Sequence, residues 1–168
     1  MAAKGPGRRG SRRPAPDADG IRQVARNRRA RHDYDILETF ECGIALQGSE
    51  VKSLRAGKAS LEDSYASVER DEVWLYGCDI PEYLQGNREN HKPKRPRKLL
   101  LHRREIDKLI ARAQDRGMTI VPLKLYFKRG LAKVEISVAK GKKLHDKRES
   151  LKKQDAKREI DRALNRRG

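Results

Sequence analysis

From Tyr34 to Leu46 the chain alternates with a period of two. Of the even positions after Tyr34, five (Ile36, Phe40, Cys42, Ile44 and Leu46) are apolar or carry a small thiol, and only Glu38 breaks the series. Asp35, Thr39 and Glu41 occupy the odd positions. Successive side chains of a strand point to opposite faces, so this stretch predicts a strand with one face buried and one face wet. The fold therefore contains a sheet that something must cover.

More strand signals follow. Gly48 and Ser49 end the first strand, and Ser49 is placed to cap a short helix through Leu54, with Glu50 in its first turn. Tyr65 to Val68 and Val73 to Ile80 read as strands joined by a hairpin at Glu69-Arg70-Asp71-Glu72, and Pro81 ends the second. Residues 85–98 read as a polar loop. It holds Arg88, Lys92, Lys94, Arg95, Arg97 and Lys98 against one acid, Glu89. Between Arg103 and Asp115, Ile106, Leu109, Ile110 and Ala113 fall at i, i+3, i+4 and i+7, the stripe of a helix lying on a core. Gly117 stops it. Thr119 to Phe127 and Leu131 to Val138 form the last hairpin, turning at Arg129-Gly130, with Pro122 requiring an edge or a bulge. At least five mostly antiparallel strands result, and a small closed barrel leaves such strands without long open edges.

The ends of the chain differ from this core. Residues 1–24 are Gly, Pro and Arg with almost no large apolar side chains, which predicts a disordered basic arm. The barrel is expected over residues 25–140 and a basic tail over 141–168. Residues 140–168 carry twelve Lys or Arg and five Asp or Glu. Leu144 and Leu151 lie on one side of a helix there, and Ile160 and Leu164 on the other. With no single apolar stripe to dock, the tail is expected to be disordered alone and helical against a partner.

Charge narrows the function. The 168 residues carry a net +17, a surplus that calls for an anionic partner. A membrane fits poorly. The longest strictly apolar run is Leu99-Leu100-Leu101, and Gly5, Pro6, Gly7, Pro14 and Pro16 oppose an amphipathic leader. Nucleic acid remains. The two cysteines, Cys42 and Cys78, lie in strand-like stretches and read as buried free thiols, which suits a reducing cytosol. None of His32, His91, His102 and His145 has metal-ligand spacing with a carboxylate, and there is no phosphate loop or nucleophile motif. Neither an enzyme nor a cofactor is expected.

Three places suit phosphate or base contact. Lys52 and Arg55 stand three apart on the short helix and point the same way. Glu50, expected near the basic residues 26–31, has two open roles: an internal salt bridge, or bonding to a base or an arginine. Lys140, Lys142 and Lys143 converge where the last strand meets the tail, with Gly141 allowing a bend. Tyr34, Tyr65, Tyr83, Tyr126 and Phe127 offer stacking surfaces, although most of them are expected in the core.

Taken together, several blocks resemble the small protein B (SmpB) family. They are Asn27-Arg28-Arg29-Ala30-Arg31-His32-Asp33-Tyr34, the run from Gly43 to Arg55, Asp63-Ser64-Tyr65, Arg97 to Leu101, and Ala139 to Arg148. The resemblance spans about residues 25–164. It implies a mainly β fold: a small antiparallel barrel of the oligonucleotide-binding (OB) type with flanking helices and a basic C-terminal tail. It implies binding to the tRNA-like domain of transfer-messenger RNA (tmRNA) and delivery to stalled bacterial ribosomes in the cytoplasm, with elongation factor Tu acting indirectly through alanyl-tmRNA. It further implies tmRNA contacts at Asn27, His32, Tyr34, Glu50, Lys52, Arg55, Leu99, Lys140, Lys142 and Lys143. Tyr65, His145, Asp146, Lys147 and Arg148 would face the ribosome, with the tail in the 16S rRNA decoding centre and the empty mRNA channel.

Overall fold

The structure, a computed structural model, describes residues 20–85, 88 and 90–165. Strands β1 (Ile21–Arg26), β2 (Tyr34–Ile44), β3 (Tyr65–Glu69), β4 (Glu72–Tyr76), β5 (Arg97–Leu100), β6 (Met118–Lys128) and β7 (Leu131–Gly141) alternate with four helices. These are α1 (Ala30–Asp33), α2 (Gly48–Arg55), α3 (Arg103–Ala113) and α4 (Leu144–Asn165). The strand order is β1-β6-β3-β4-β5-β2-β7, and β7 pairs back onto β6. Six strands thus close a ring, and β1 flanks it along β6. Every pairing is antiparallel.

The alternation of β2 is real, but one bulge splits it between two cores. The register slips between Ile36 and Glu38. After the slip, Phe40, Cys42 and Ile44 point into the barrel with Val134, Ile136 and Val138. Before it, Tyr34 and Ile36 turn to the outer face, where they pack with Ala30, Val121, Leu123 and Ala139 beneath α1. Glu38, the exception in the apolar series, is accounted for by its place near α3. It pairs with Lys108, and with Arg112 at 3.5 Å.

Pro122 is also explained. Along one edge of β6, β1 pairs with Lys124 to Lys128 and β3 pairs only at Ile120. Pro122 sits in the interval between them, beside a bulge, where its missing N–H breaks no ladder bond. Asn27 closes the interval. Its backbone N–H donates to the Leu123 carbonyl (2.9 Å) and its Nδ2 to the Pro122 carbonyl (3.2 Å).

Three expectations are corrected. A strand, β1, starts at Ile21, inside the segment read as an arm, because Val24 and Ala25 have β6 to pack on; residues 1–19 lie outside the described residues. Four residues of the supposed loop and its flank form β5, hidden in the sequence because a buried arginine, Arg97, takes an inward position. α2 is capped by Gln47 in a reciprocal box with Glu50, while Ser49 bonds His91 instead. α4 starts where polar bonds tie it to α1, as described below.

Candidate nucleic-acid interface

The outer face of the β2–β7 pair is where the candidate residues gather. β7 has no bulge against β2, so Lys133, Glu135, Ser137 and Ala139 all point outward while Val134, Ile136 and Val138 point inward. At ~3.4 Å per residue, Lys133 and Ala139 lie roughly 20 Å apart on one face. α1 covers the Ala139 end.

α1 is short because its sequence is local in its bonding. Asn27 Oδ1 accepts from the Ala30 N–H at 3.1 Å, and the chain returns to strand at Tyr34. Asn27 is therefore a structural seam residue; with two bonds made, its amide keeps one N–H and one lone pair for another contact. His32 is half-buried, and its Nδ1 lies 2.9 Å from Asp33 Oδ1. Lys140, opposite Asp35 and on the other face of β7 from Ala139, is exposed, as is Lys143.

Lys142 departs from the expected role. Its side chain is only 10% exposed. Its Nζ donates to the Arg31 carbonyl (3.0 Å) and to Ser150 Oγ (3.2 Å), and its N–H to the Asp33 carbonyl (2.9 Å). It pins α4 to α1 and has little to offer a phosphate. The side chains of Leu144, His145 and Asp146 lie outside the described residues. Lys147 reaches Asp33 at 3.4 Å, and Arg148 is exposed.

Glu50 resolves its two open roles in favour of the internal bridge. It is 0% exposed. Its carboxylate accepts from Arg95 Nε (2.7 Å) and Nη2 (2.5 Å), Arg97 Nε (2.8 Å) and the Gln47 N–H (2.7 Å). The residues 26–31 take no part. Burial alone would raise its titration point, but these donors outweigh burial and hold the carboxyl below the usual range. Arg97 also donates to the carbonyls of Cys78, Pro93 and Arg95. The cluster fastens the segment after Pro81 onto α2, helped by His91, whose Nε2 lies 2.7 Å from the Ile80 carbonyl.

Lys52 and Arg55 stay exposed on α2, as expected. The Lys52 ammonium lies 5.7 Å from the Tyr83 ring centre, and Arg22 Nη1 donates to the Arg55 carbonyl at 3.3 Å. From Arg22 on β1 to Asn27 just beyond its end is ~17 Å at strand rise, which links this basic group to α1.

Leu99 is a core residue at 2% exposure, whereas its neighbour Leu100 is 51% exposed. Leu100 lies over Gly43, where a Cβ would come within 3.2 Å of it. Glu41, Gly43, Leu100, Leu101, His102, Glu105 and Lys133 line one shallow cavity of about 450 Å³. The alternation of β5 could have identified this exposed leucine, had β5 been recognised. The two leucines should separate in a urea titration. Leu99→Ala is expected to cost about 2–5 kcal/mol through its cavity, and Leu100→Ala within about 0.5–1 kcal/mol.

Tyr65 is half-exposed and stacks on Tyr76, with ring centres 5.4 Å apart. It lines a second cavity of about 340 Å³ with Asn27, Arg29, Asp33, Tyr34 and Asp63, so a residue expected to face the ribosome adjoins those expected to face tmRNA. Both cysteines are fully buried, and burial pushes Cys42 up to about 12 and Cys78 to about 11, leaving inert thiols. Among the described residues no three His, Cys, Asp or Glu converge to hold a metal ion. Among the described residues no helix is long and apolar enough to cross a membrane. On α4, Leu151, Ile160 and Leu164 remain exposed.

A closed antiparallel barrel with a partly cationic outer face and a basic helix at one end defines a nucleic-acid-binding barrel protein. The comparisons narrow this class. The family described as SmpB protein matches residues 24–166. An SsrA-binding protein of Pelotomaculum thermopropionicum is 58% identical over 144 residues, covering 86% of this chain and 94% of that one. One from Salinispora tropica is 60% identical over 153 residues, covering 91% and 96%. A solved chain described under "tmRNA-SmpB: a journey to the center of the bacterial ribosome" is 52% identical, with a TM-score of 0.61 over 71% of this chain and 84% of that one. The chain belongs to the SmpB family.

Proposed function

We propose that this protein binds the tRNA-like domain of tmRNA and carries it to stalled ribosomes in trans-translation. The relatives are named for SsrA binding, and the solved neighbour is described with tmRNA and the bacterial ribosome. The observation that carries the reading for this chain is the outer face of β2 and β7. It carries Tyr34, beneath the α1 that holds His32, at one end and Leu100 and Lys133 at the other, with Lys140 and Lys143 exposed where β7 ends. Cations there meet phosphates, and the exposed leucine offers an apolar surface to a base or ribose. Lys52 and Arg55 extend the contact along α2, with Glu50 supporting them from inside. The protein acts as a binding module in the bacterial cytoplasm, without catalysis. Elongation factor Tu meets it indirectly, through alanyl-tmRNA.

α4 supplies the second half of the function. A helix polar all round needs no apolar groove, so it suits a channel walled by phosphates. In this reading His145, Asp146, Lys147 and Arg148 enter the decoding centre, the rest of α4 follows the empty mRNA channel, and Tyr65 faces the small subunit.

Salt-dependent binding tests the interface. Each of Lys140→Gln and Lys143→Gln should weaken tmRNA binding and reduce the slope of log K against log salt by about 1 per lost phosphate contact. Leu100→Glu should weaken binding without changing that slope by more than its own charge. Competition by bulk tRNA at equal affinity would overturn the tmRNA assignment and leave a general RNA-binding barrel.

A further inference from the structure

We propose that the N-terminal segment, residues 1–19, is a tethered RNA contact that grips the tmRNA backbone beside α2, extending the contact begun by Lys52 and Arg55. The inference rests on the proposed tmRNA role of those two residues for the identity of the RNA. For the contact itself it rests on charge and tethering.

The segment lies outside the part of the chain that matches the SmpB family, which begins at residue 24. It holds Lys4, Arg8, Arg9, Arg12 and Arg13 against Asp17 and Asp19, so its cations lie beyond its acids as counted from the barrel. The barrel fixes where the segment starts. The Gly20 carbonyl accepts the Arg129 N–H at 3.5 Å, at the turn of the β6–β7 hairpin, and Ile21 pairs with Lys128. Arg22 then turns to α2. Its guanidinium lies 5.1 Å from the Phe127 ring centre and donates to the Arg55 carbonyl at 3.3 Å. That bond uses one N–H of a fork that can still meet a phosphate. Arg55, Lys58 and Arg129 are exposed around the same corner. α4 starts near the opposite end of the hairpin, where Met118 pairs with Lys140. From Met118 to Lys128 is ~34 Å at strand rise.

A chain extends at most ~3.6 Å per residue, so Arg12 and Arg13 stay within roughly 30 Å of Gly20, and Arg8 within roughly 45 Å. Tethering at that range presents them at high effective concentration to a strand already lying on α2. Phosphate contact needs charge within reach and no packed interface. An exit beside α2 and away from the start of α4 favours the RNA that α2 holds over the ribosomal channel.

Filter binding across a salt series tests the contact in the full chain. Arg8→Gln, Arg9→Gln, Arg12→Gln and Arg13→Gln combined should weaken tmRNA binding roughly tenfold or more near ~0.1 M salt, and lower the slope of log K against log salt by about 2–3. Directed hydroxyl-radical cleavage tests the location. The native thiols are buried, so an iron chelate can be attached at Ser11→Cys, Ala56→Cys or Lys152→Cys. Cuts in tmRNA from Ser11→Cys should overlap those from Ala56→Cys and not those from Lys152→Cys. Unchanged affinity and slope in the fourfold variant would overturn the proposal. Cuts from Ser11→Cys confined to 16S rRNA in the ribosome-bound complex would do the same. Equal competition by bulk tRNA would instead sink the tmRNA reading, while the slope difference, which needs only an RNA, would still establish the contact.

Discussion

Glu50→Ala is expected to lower stability by about 3–5 kcal/mol, because it strands a buried guanidinium. Arg97 is 0% exposed and relies on Glu50 as its acidic partner. Arg95 would lose its bidentate acceptor as well, and the Gln47 cap would lose its return bond. The segment after Pro81 would come loose from α2. Denaturant unfolding measures the loss, and RNA binding should fall only in proportion to the unfolded fraction at low temperature. Acid should reproduce part of the effect. A carboxyl whose folded titration lies below its unfolded value, about 4.3 for a glutamate, contributes fully above that pH. The contribution disappears as pH falls through the folded value. Stability that shows no acid-dependent gap between parent and variant would argue that Glu50 is neutral in the folded chain.

Ending the chain at Lys143 is expected to leave tmRNA affinity within about threefold, less than 1 kcal/mol, and to abolish peptide tagging of stalled ribosomes. The proposed tmRNA contacts all precede α4. Removing the helix deletes Lys147 but leaves the bond from His32 to Asp33 in place. What is lost is the cationic helix proposed to enter the mRNA channel. Filter binding and a reconstituted tagging reaction report the two halves separately. Loss of tmRNA binding on truncation would show that the barrel and tail do not divide the work.

The barrel was legible because most of its strands announce themselves by alternation and by punctuating Gly and Pro. Two strands were not. β1 has a register shift between Gln23 and Ala25 that breaks its period, and β5 buries an arginine where the pattern calls for an apolar residue. The same hidden arginine made Glu50 ambiguous, since its partners sit 45 and 47 positions away in sequence. Site residues were legible by type and not by direction. Leu99 and Leu100 are chemically identical, and only the pairing of β5 with β2 and β4 decides which one meets solvent. Lys142 looked like its neighbours Lys140 and Lys143 until Arg31 and Ser150 were seen to hold it. Periodicity registers apolar stripes, whereas the start of α4 is tied to α1 by polar bonds that no stripe announces.

The slip in β2 at Leu37 makes that strand a phase shifter. One continuous sequence pattern serves two interiors because a single extra residue swaps inside for outside partway along. The surface that presents His32 and Tyr34 is therefore set by the bulge as much as by the residues themselves. Leu37, the extra residue, is 57% exposed. Paired in a regular ladder with Leu37 retained, the same strand would send Tyr34 and Ile36 toward the barrel and leave α1 without the small core on which it rests.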